Sequence, residues 1–373
     1  MTFYEFFCGG GMARAGLAPG WTCLFANDID RGKAAAYAAN WGADRLIVGD
    51  VASLTTAEVP SVADLAWASF PCQDLSLAGD RRGLDGARSG SFWPFCKLMQ
   101  TLRAEGRAPH IIVLENVTGL LTSHGGKDFD AICGALAACD YRVGAVVIDA
   151  ALFVPQSRER AFIVGVGSEV DIPAELVADG PTAPFHPPTL VAACKRQPSA
   201  PIWWRLPIPP ARNSILAGVI EDEPKGVSWH TKAETDRLLE LMAPTHVAKV
   251  EAAKRAGRRI VGGLYRRIRL DTDSKKIQHA EVRFDDVAGC LRVSTGGSSR
   301  QTIVIVEGAS VKSRLLSPRE TGRLMGLPED YQLPSNTNEA YGLTGDGVVV
   351  PVVSFLAEHI LEPILGAVPA AYP

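Results

Sequence analysis

Thr2-Phe3-Tyr4-Glu5-Phe6-Phe7-Cys8-Gly9-Gly10-Gly11 is the stretch whose reading decides the fold. Thr2 to Phe7 reads as a strand, and the glycines close it in a tight turn that opens a helix. Outward from there the same alternation recurs. Trp21 to Asn27, Arg45 to Val48, Leu65 to Ser69, His110 to Leu114, Arg142 to Ile148 and Phe162 to Val166 read as further strands. Between them Arg31 to Asn40, Phe92 to Glu105 and Phe129 to Ala138 carry apolar residues at helical spacing. Strands alternating with helices predict an α/β fold with a mostly parallel sheet covered on both faces. Ligands of such sheets bind beyond the carboxyl ends of the strands, so the loops after strands are where chemistry belongs.

From about Gly167 the texture changes. Pro181 to Pro188 and Pro198 to Pro210 are proline-rich, Ala233 to Ala256 reads as one charged helix, and short strand-like pieces follow to Val306. This predicts a smaller, loop-rich second domain. Ser317 is placed to cap a helix from Pro318 to Met325. Val348 to Leu365 reads as a final apolar helix able to pack on the first lobe.

The 373 residues are 47% hydrophobic and 21% charged, which excludes global disorder. The longest apolar runs, such as Val348 to Ala357, are about half of a bilayer span, so no membrane is expected. Glu5 stands where a secretory leader would carry basic residues, and the 8 cysteines include no CxxC. A reduced, cytoplasmic protein is expected, with no bound metal.

A net charge of −3 argues at first against a polyanionic partner. Its distribution reverses that. Residues 1–164 hold 14 Lys and Arg against 17 acids, residues 165–325 hold 24 against 18, and residues 326–373 hold none against 6. The basic excess peaks from Lys249 to Arg269, where Glu251 is the single acid. A basic face for a polyanion and a solvated helix face both fit such a run.

Four places carry chemistry. Gly9 and Gly11 let a ligand approach the backbone, but Arg14 breaks the dinucleotide fingerprint G-x-G-x-x-G. Asp28 ends the second strand, where a carboxylate can take two ribose hydroxyls, and Asp50 ends the third, in reach of an adenine amino group. That pattern suits a nucleoside cofactor, although each acid alone also reads as a turn or cap residue. Ser69-Phe70-Pro71-Cys72-Gln73 puts a cysteine on the loop after a strand, a place for a nucleophile, against the alternative of a buried small hydrophobe. The glycine-rich loop that follows, with Arg81, Arg82 and Arg88, is long enough to close over a substrate. Glu115 follows an apolar strand and should point toward Cys72, and period-two alternation puts Arg158 and Arg160 on one side of the strand they introduce.

These blocks, in this order, resemble the DNA cytosine-5 methyltransferase family. The similarity rests on Phe7-Cys8-Gly9-Gly10-Gly11, Pro71-Cys72-Gln73, Glu115-Asn116-Val117 and Gln156, Arg158 and Arg160. It continues in Ser317-Pro318-Arg319-Glu320 through Arg323 to Pro328, and in Gly345-Asp346-Gly347-Val348-Val349-Val350-Pro351-Val352. Two departures stand out: Met12 where the family has a second glycine, and Asp346 where it has an asparagine that contacts the methionine part of S-adenosylmethionine. An ionised Asp accepts but cannot donate there.

The resemblance implies a Rossmann-like methyltransferase domain over residues 1–166, a target-recognition domain over 167–316, and a returning segment over 317–373. It implies S-adenosylmethionine as methyl donor, leaving as S-adenosylhomocysteine, held by Phe7, Gly9, Gly11, Asp28, Ile29, Asp50, Val51, Pro71, Phe92, Asp346 and Val348. Cys72 would add to carbon 6 of a cytosine flipped out of the duplex, Glu115 would act on N3, Arg160 would hold O2, and Arg158 would support the loop or a phosphate. Gln73, Arg82, Arg88, Arg292, Gly296, Gly297, Arg300 and Gln301 are the expected DNA contacts, with an ordinary turn the competing reading of Gly296 to Gln301. Cys290-Leu291 stands where the family has Thr-Leu. A bacterial monomer acting on double-stranded DNA is expected, with a cognate restriction endonuclease as candidate companion.

Three alternatives fit the residues less well. A tRNA cytosine-5 methyltransferase would have a much shorter variable region. A nucleotide-dependent oxidoreductase leaves Cys72, Glu115 and Arg160 without purpose. A catalytically dead DNA-binding module would not need Pro71-Cys72.

Overall fold

In the computed structural model, which describes residues 1–71, 89–270, 276–292 and 300–367, the opening run forms β1 (Thr2–Phe6). The chain continues through α1 (Met12–Leu17), β2 (Thr22–Asp28), α2 (Arg31–Trp41), β3 (Leu46–Val48) and β4 (Leu65–Ala68). Then come α3 (Phe92–Ala104), β5 (Ile111–Val117), α4 (Lys127–Ala138), β6 (Tyr141–Asp149) and β7 (Glu159–Gly167). The seven strands lie in the order β3-β2-β1-β4-β5-β7-β6. β7 pairs antiparallel with both β5 and β6, and the other pairings are parallel. The expected mostly parallel sheet is therefore present, with one reversed strand next to its edge.

Local chemistry explains the elements. Phe3, Tyr4 and Phe6 are all buried, as a strand covered on both faces requires. Asp30 caps α2, its Oδ1 accepting from Gly32 N at 2.8 Å and Lys33 N at 3.0 Å. The core joins Tyr4, Phe6 and Phe25 to Phe92, Phe95, Met99, Leu114, Phe129 and Ile163.

The chain divides into two compact units. The first comprises Met1–Asp149, Glu159–Pro210 and Gly347–Pro373; the second comprises Ala150–Arg158 and Ala211–Asp346. This partition differs from a boundary at 166. Residues 167–210 stay with the first unit because they extend it: Ile202 bridges Gly144 of β6, and Val147 N donates to Phe185 O at 2.8 Å. α5 (Pro188–Cys194) puts Leu190, Ala193 and Cys194 into the same core.

In the second unit α6 (Leu216–Val219), α7 (Lys232–Glu240) and α8 (Pro244–Arg255) precede β8 (Ile260–Leu270), β9 (Lys276–Arg283), β10 (Thr302–Glu307) and β11 (Ser310–Leu315). The expected single helix over 233–256 is thus two. Pro244 lacks an amide hydrogen and starts α8, while Thr231 and Glu234 form a capping box at the start of α7. The four strands make an antiparallel sheet, β11-β10-β8-β9, whose Leu264, Val282, Val304 and Val306 pack with Val250 and Ala253 of α8. α9 (Pro318–Leu324) has the expected Ser317 cap, with Glu320 closing the box, and α10 (Thr337–Asp346) ends the unit.

The final apolar segment belongs to the first unit. It begins as α11 (Val350–Leu356), passes through a π-helical turn at Ala357–Leu361 and ends as α12 (Glu362–Gly366). Residues Thr337–Gly366 are long and apolar enough, by length and composition, to cross a membrane, contrary to the expectation from the apolar runs. Their apolar window is 56% buried inside the protein, and Val353 sits where a side chain on Gly16 of α1 would clash, so α11 is a core helix here.

Candidate active site

The turn after β1 is built on left-handed backbone at Phe7 (φ 54), Gly9 (φ 53) and Gly11 (φ 77). Gly11 is obligatory: an added Cβ would lie 2.4 Å from Trp41 Nε1, the group that donates to Gly10 O at 3.0 Å. Asp28 closes the turn from the neighbouring strand. Its Oδ2 accepts from Gly9 N at 2.7 Å and its Oδ1 from Asp30 N at 2.8 Å. Burial raises its pKa, and those two amides pull the other way. A carboxylate has about four lone-pair sites, so two remain for a ligand. Ile29, next along, is 64% exposed. Asp50 caps the short turn Val51–Ser53 through Ala52 N at 2.9 Å, and Val51 is buried. Asn27, buried, donates to Ile47 O and Gly49 O and so fixes the ends of β2 and β3 together.

Glu5 belongs to the site as well, although no motif marks it. It is 1% exposed, and its Oε1 accepts from Arg14 N at 3.3 Å in the first turn of α1. Gly11 at the helix N-cap has no side chain to cap it, and Glu5 supplies the accepting carboxyl oxygen from β1 instead. Burial pushes the Glu5 pKa up to about 8. The Glu5 carboxyl already takes the Arg14 amide, one of the helix-start donors a phosphate would use, so this glycine turn suits a nucleoside without a pyrophosphate. The signal was legible: one acid inside an aromatic strand, facing a helix with a glycine cap.

Phe92 was expected beside a purine; it is fully buried, with its ring centroid 5.3 Å from that of Phe70. Pro71 is the last described residue before the nucleophile loop. Cys72, Gln73, Arg82 and Arg88 lie outside the described residues, as do Gly296 and Gly297.

β5 brings two residues to the same end of the sheet. Glu115 is buried, and Arg160 Nε stands 3.1 Å from its Oε1 across the β5–β7 ladder. Asn116, also buried, donates from Nδ2 to Phe70 O at 3.2 Å, while its Oδ1 accepts from Val117 N at 2.8 Å. Asn116 therefore anchors the backbone two residues before Cys72. Its contact spans 46 positions, so no local pattern in the sequence points to this role.

Arg158 does not share these partners. β7 starts at Glu159, so the alternation does not reach it. Its guanidinium donates to Leu291 O at 3.0 Å and Gly345 O at 2.8 Å, and lies 3.3 Å from Cys290 Sγ, all within the second unit. Asp346 ends α10 in that unit, and Val348 is buried in the first. Of the expected base-reading residues, Arg292 is exposed, Arg300 stacks over Tyr341 and donates to Asn338, and Gln301 donates to Cys290 O at 3.2 Å. A cavity of about 240 Å³ lined by Phe129, Cys133, Tyr141 and Cys194 includes none of the expected site residues.

Known proteins converge on the same reading. The chain is 27% identical over 370 residues to type II methyltransferase M.BsuFI of Bacillus subtilis, covering 98% of this chain and 73% of that one. It is 24% identical to M.HhaI of Haemophilus parahaemolyticus, covering 96% and 94%. Among solved structures the Entamoeba histolytica methyltransferase EhMeth superposes with a TM-score of 0.64 at 15% identity, covering 97% and 98%, and a Spodoptera frugiperda DNMT2 mutant with 0.59 at 16%, covering 98% and 99%. These two share the fold. The family model of the C-5 cytosine-specific DNA methylases matches residues 1–362, with the glycine turn, the Glu115–Arg160 pair and the Pro71-Cys72 loop inside it, and the chain is an enzyme of that family.

Proposed function

We propose that this enzyme methylates carbon 5 of a cytosine flipped out of a specific duplex DNA site, using S-adenosylmethionine and a covalent bond from Cys72 to carbon 6. The observation that carries the reading is the buried Glu115–Arg160 pair at the sheet end from which Asn116 anchors Phe70. S-adenosylmethionine supplies an electrophilic methyl group on a sulfonium. The turn fits such a group: Asp28 keeps lone pairs for ribose hydroxyls, Ile29 offers an exposed apolar surface, and Glu5 takes up the Arg14 amide that a phosphate would use. Gly9, Gly11, Phe7, Asp50, Val51, Pro71, Asp346 and Val348 complete the proposed cofactor set.

Carbon 5 of cytosine is a weak nucleophile. Addition of the Cys72 thiolate to carbon 6 makes the ring enamine-like, so carbon 5 can attack the methyl. Removal of the carbon 5 proton then breaks the Cys72–carbon 6 bond and restores the ring. Glu115, protonated or hydrogen-bonded at N3, drains charge from the ring during addition. Arg160, paired with Glu115, would donate to O2.

Lys249 to Arg269, on α8 and β8, would supply phosphate contacts, with Arg82 and Arg88 as further DNA contacts. Gln73, Arg292 and Gly296 to Gln301 would read bases. The relatives' type II names favour a companion restriction endonuclease, and a cytoplasmic monomer is the working assembly. The experiment is transfer of labelled methyl to duplex DNA by the purified enzyme, with bisulfite sequencing of DNA from a host expressing it. Methylation confined to one short sequence supports the reading; no incorporation into any duplex overturns it.

A further inference from the structure

Gln156 and Arg158 grip the same residue from two sides. Gln156 is fully buried; its Oε1 accepts from Leu291 N at 3.0 Å and its Nε2 donates to Leu324 O at 2.7 Å. Arg158, 2% exposed, donates from Nη1 to Leu291 O at 3.0 Å. The backbone between them is tied as well: Ser157 N donates to Ala288 O at 2.9 Å, and Ala288 N to Pro155 O at 2.8 Å. Leu291 lies in no helix or strand, so its peptide groups are satisfied by side chains of one short segment rather than by a ladder. That segment, Ala150–Arg158, links β6 to β7 and yet belongs to the second unit.

The other hand of Arg158 matters equally. Nη2 donates to Gly345 O at 2.8 Å, one residue before Asp346. A guanidinium is a rigid planar fork, so Leu291 and Gly345 cannot shift independently while both bonds hold. Leu291 leads directly into Arg292 and the segment proposed to read bases; Gly345 leads into the segment proposed to hold the cofactor's methionine part. Buried on backbone carbonyls, Arg158 is not turned out toward a phosphate.

We infer that Gln156 and Arg158 are positioning residues that hold Leu291, which precedes the proposed base-reading residues in the chain, and couple it to Gly345, which precedes Asp346, so that target DNA and cofactor bind with positive linkage. The inference rests on the function proposed above. Linkage is reciprocal, so either ligand reports it.

The test measures S-adenosylhomocysteine affinity with and without a duplex carrying the methylated site, in wild type and Arg158→Lys. Lysine keeps the charge but has no fork. Wild type should bind S-adenosylhomocysteine about fivefold or more tightly with the cognate duplex. In Arg158→Lys that ratio should fall below about twofold, and the preference for the cognate duplex over one with a single changed base should fall about tenfold. Gln156→Met, which loses the bonds to Leu291 N, Leu324 O and Met325 Sδ but leaves the Arg158 fork in place, should reduce the base preference and keep most of the linkage; it decides the matter if Arg158→Lys does not fold. A wild-type ratio of one, or variants with unchanged linkage and base preference, overturns the inference. Wild type that methylates no duplex refutes the function itself, a separate outcome.

Discussion

Arg160 Nε stands 3.1 Å from Glu115 Oε1, and the two residues are held by adjacent antiparallel strands rather than by loops. Rigid strands set both side chains before substrate arrives, which is what a charge-stabilising site needs. Glu115→Gln keeps the shape and removes the acid. Methyl transfer should fall about 10²-fold or more, while S-adenosylhomocysteine affinity changes less than about threefold. Single-turnover assays and calorimetry check the split.

Asn116 ties β5 to Phe70 O. Asn116→Ala leaves that buried carbonyl without its partner and should cost about 1–3 kcal/mol of stability. Because Phe70 precedes Pro71-Cys72, the rate of covalent addition should fall further than stability explains. Asn116→Asp, which cannot donate when ionised, should resemble alanine in rate.

Glu5 gives the first unit a pH dependence. Its pKa rises from 4.5 to about 8 on folding. Between those values the folded protein keeps a proton that the unfolded chain releases, so stability falls as pH rises and the penalty is complete above about 8. Glu5→Gln removes the titration. Its urea midpoint, compared with wild type, should gain steadily from pH 5.5 to 8.5, by a few kcal/mol equivalent. Parallel curves would show that Glu5 stays ionised.

Lys249, Arg255, Arg258 and Arg266 are exposed and make no ion pair among the described residues, whereas Arg259 pairs with Asp222 and Arg267 with Glu281. Replacing Lys249, Arg255 and Arg258 by Gln should lower the slope of log affinity against log salt by about 2–3. An unchanged slope would place the phosphates elsewhere.

How much of this was legible depended on the range of each interaction. Strands β1 to β7 and helices α2 to α4 were read within a few residues, because apolar periodicity is local. The reversal of β7 was not, since its partners are chosen by long-range pairing. Pro244 announced the break between α7 and α8 and was overlooked. Glu115 was found by its place at the end of an apolar run, although β5 continues through it to Val117, but the tie from Asn116 to Phe70 and the double grip on Leu291 join residues 46 and more than 130 positions apart. No spacing rule encodes such pairs.

The central claim is the covalent bond from Cys72. Wild type incubated with S-adenosylmethionine and duplex DNA containing 5-fluorocytosine at the target should form a complex that survives denaturing electrophoresis, because fluorine blocks the loss that would release the cysteine. Cys72→Ala should form none and transfer no methyl. A Cys72→Ala enzyme that still methylates its site at the wild-type rate would contradict the account.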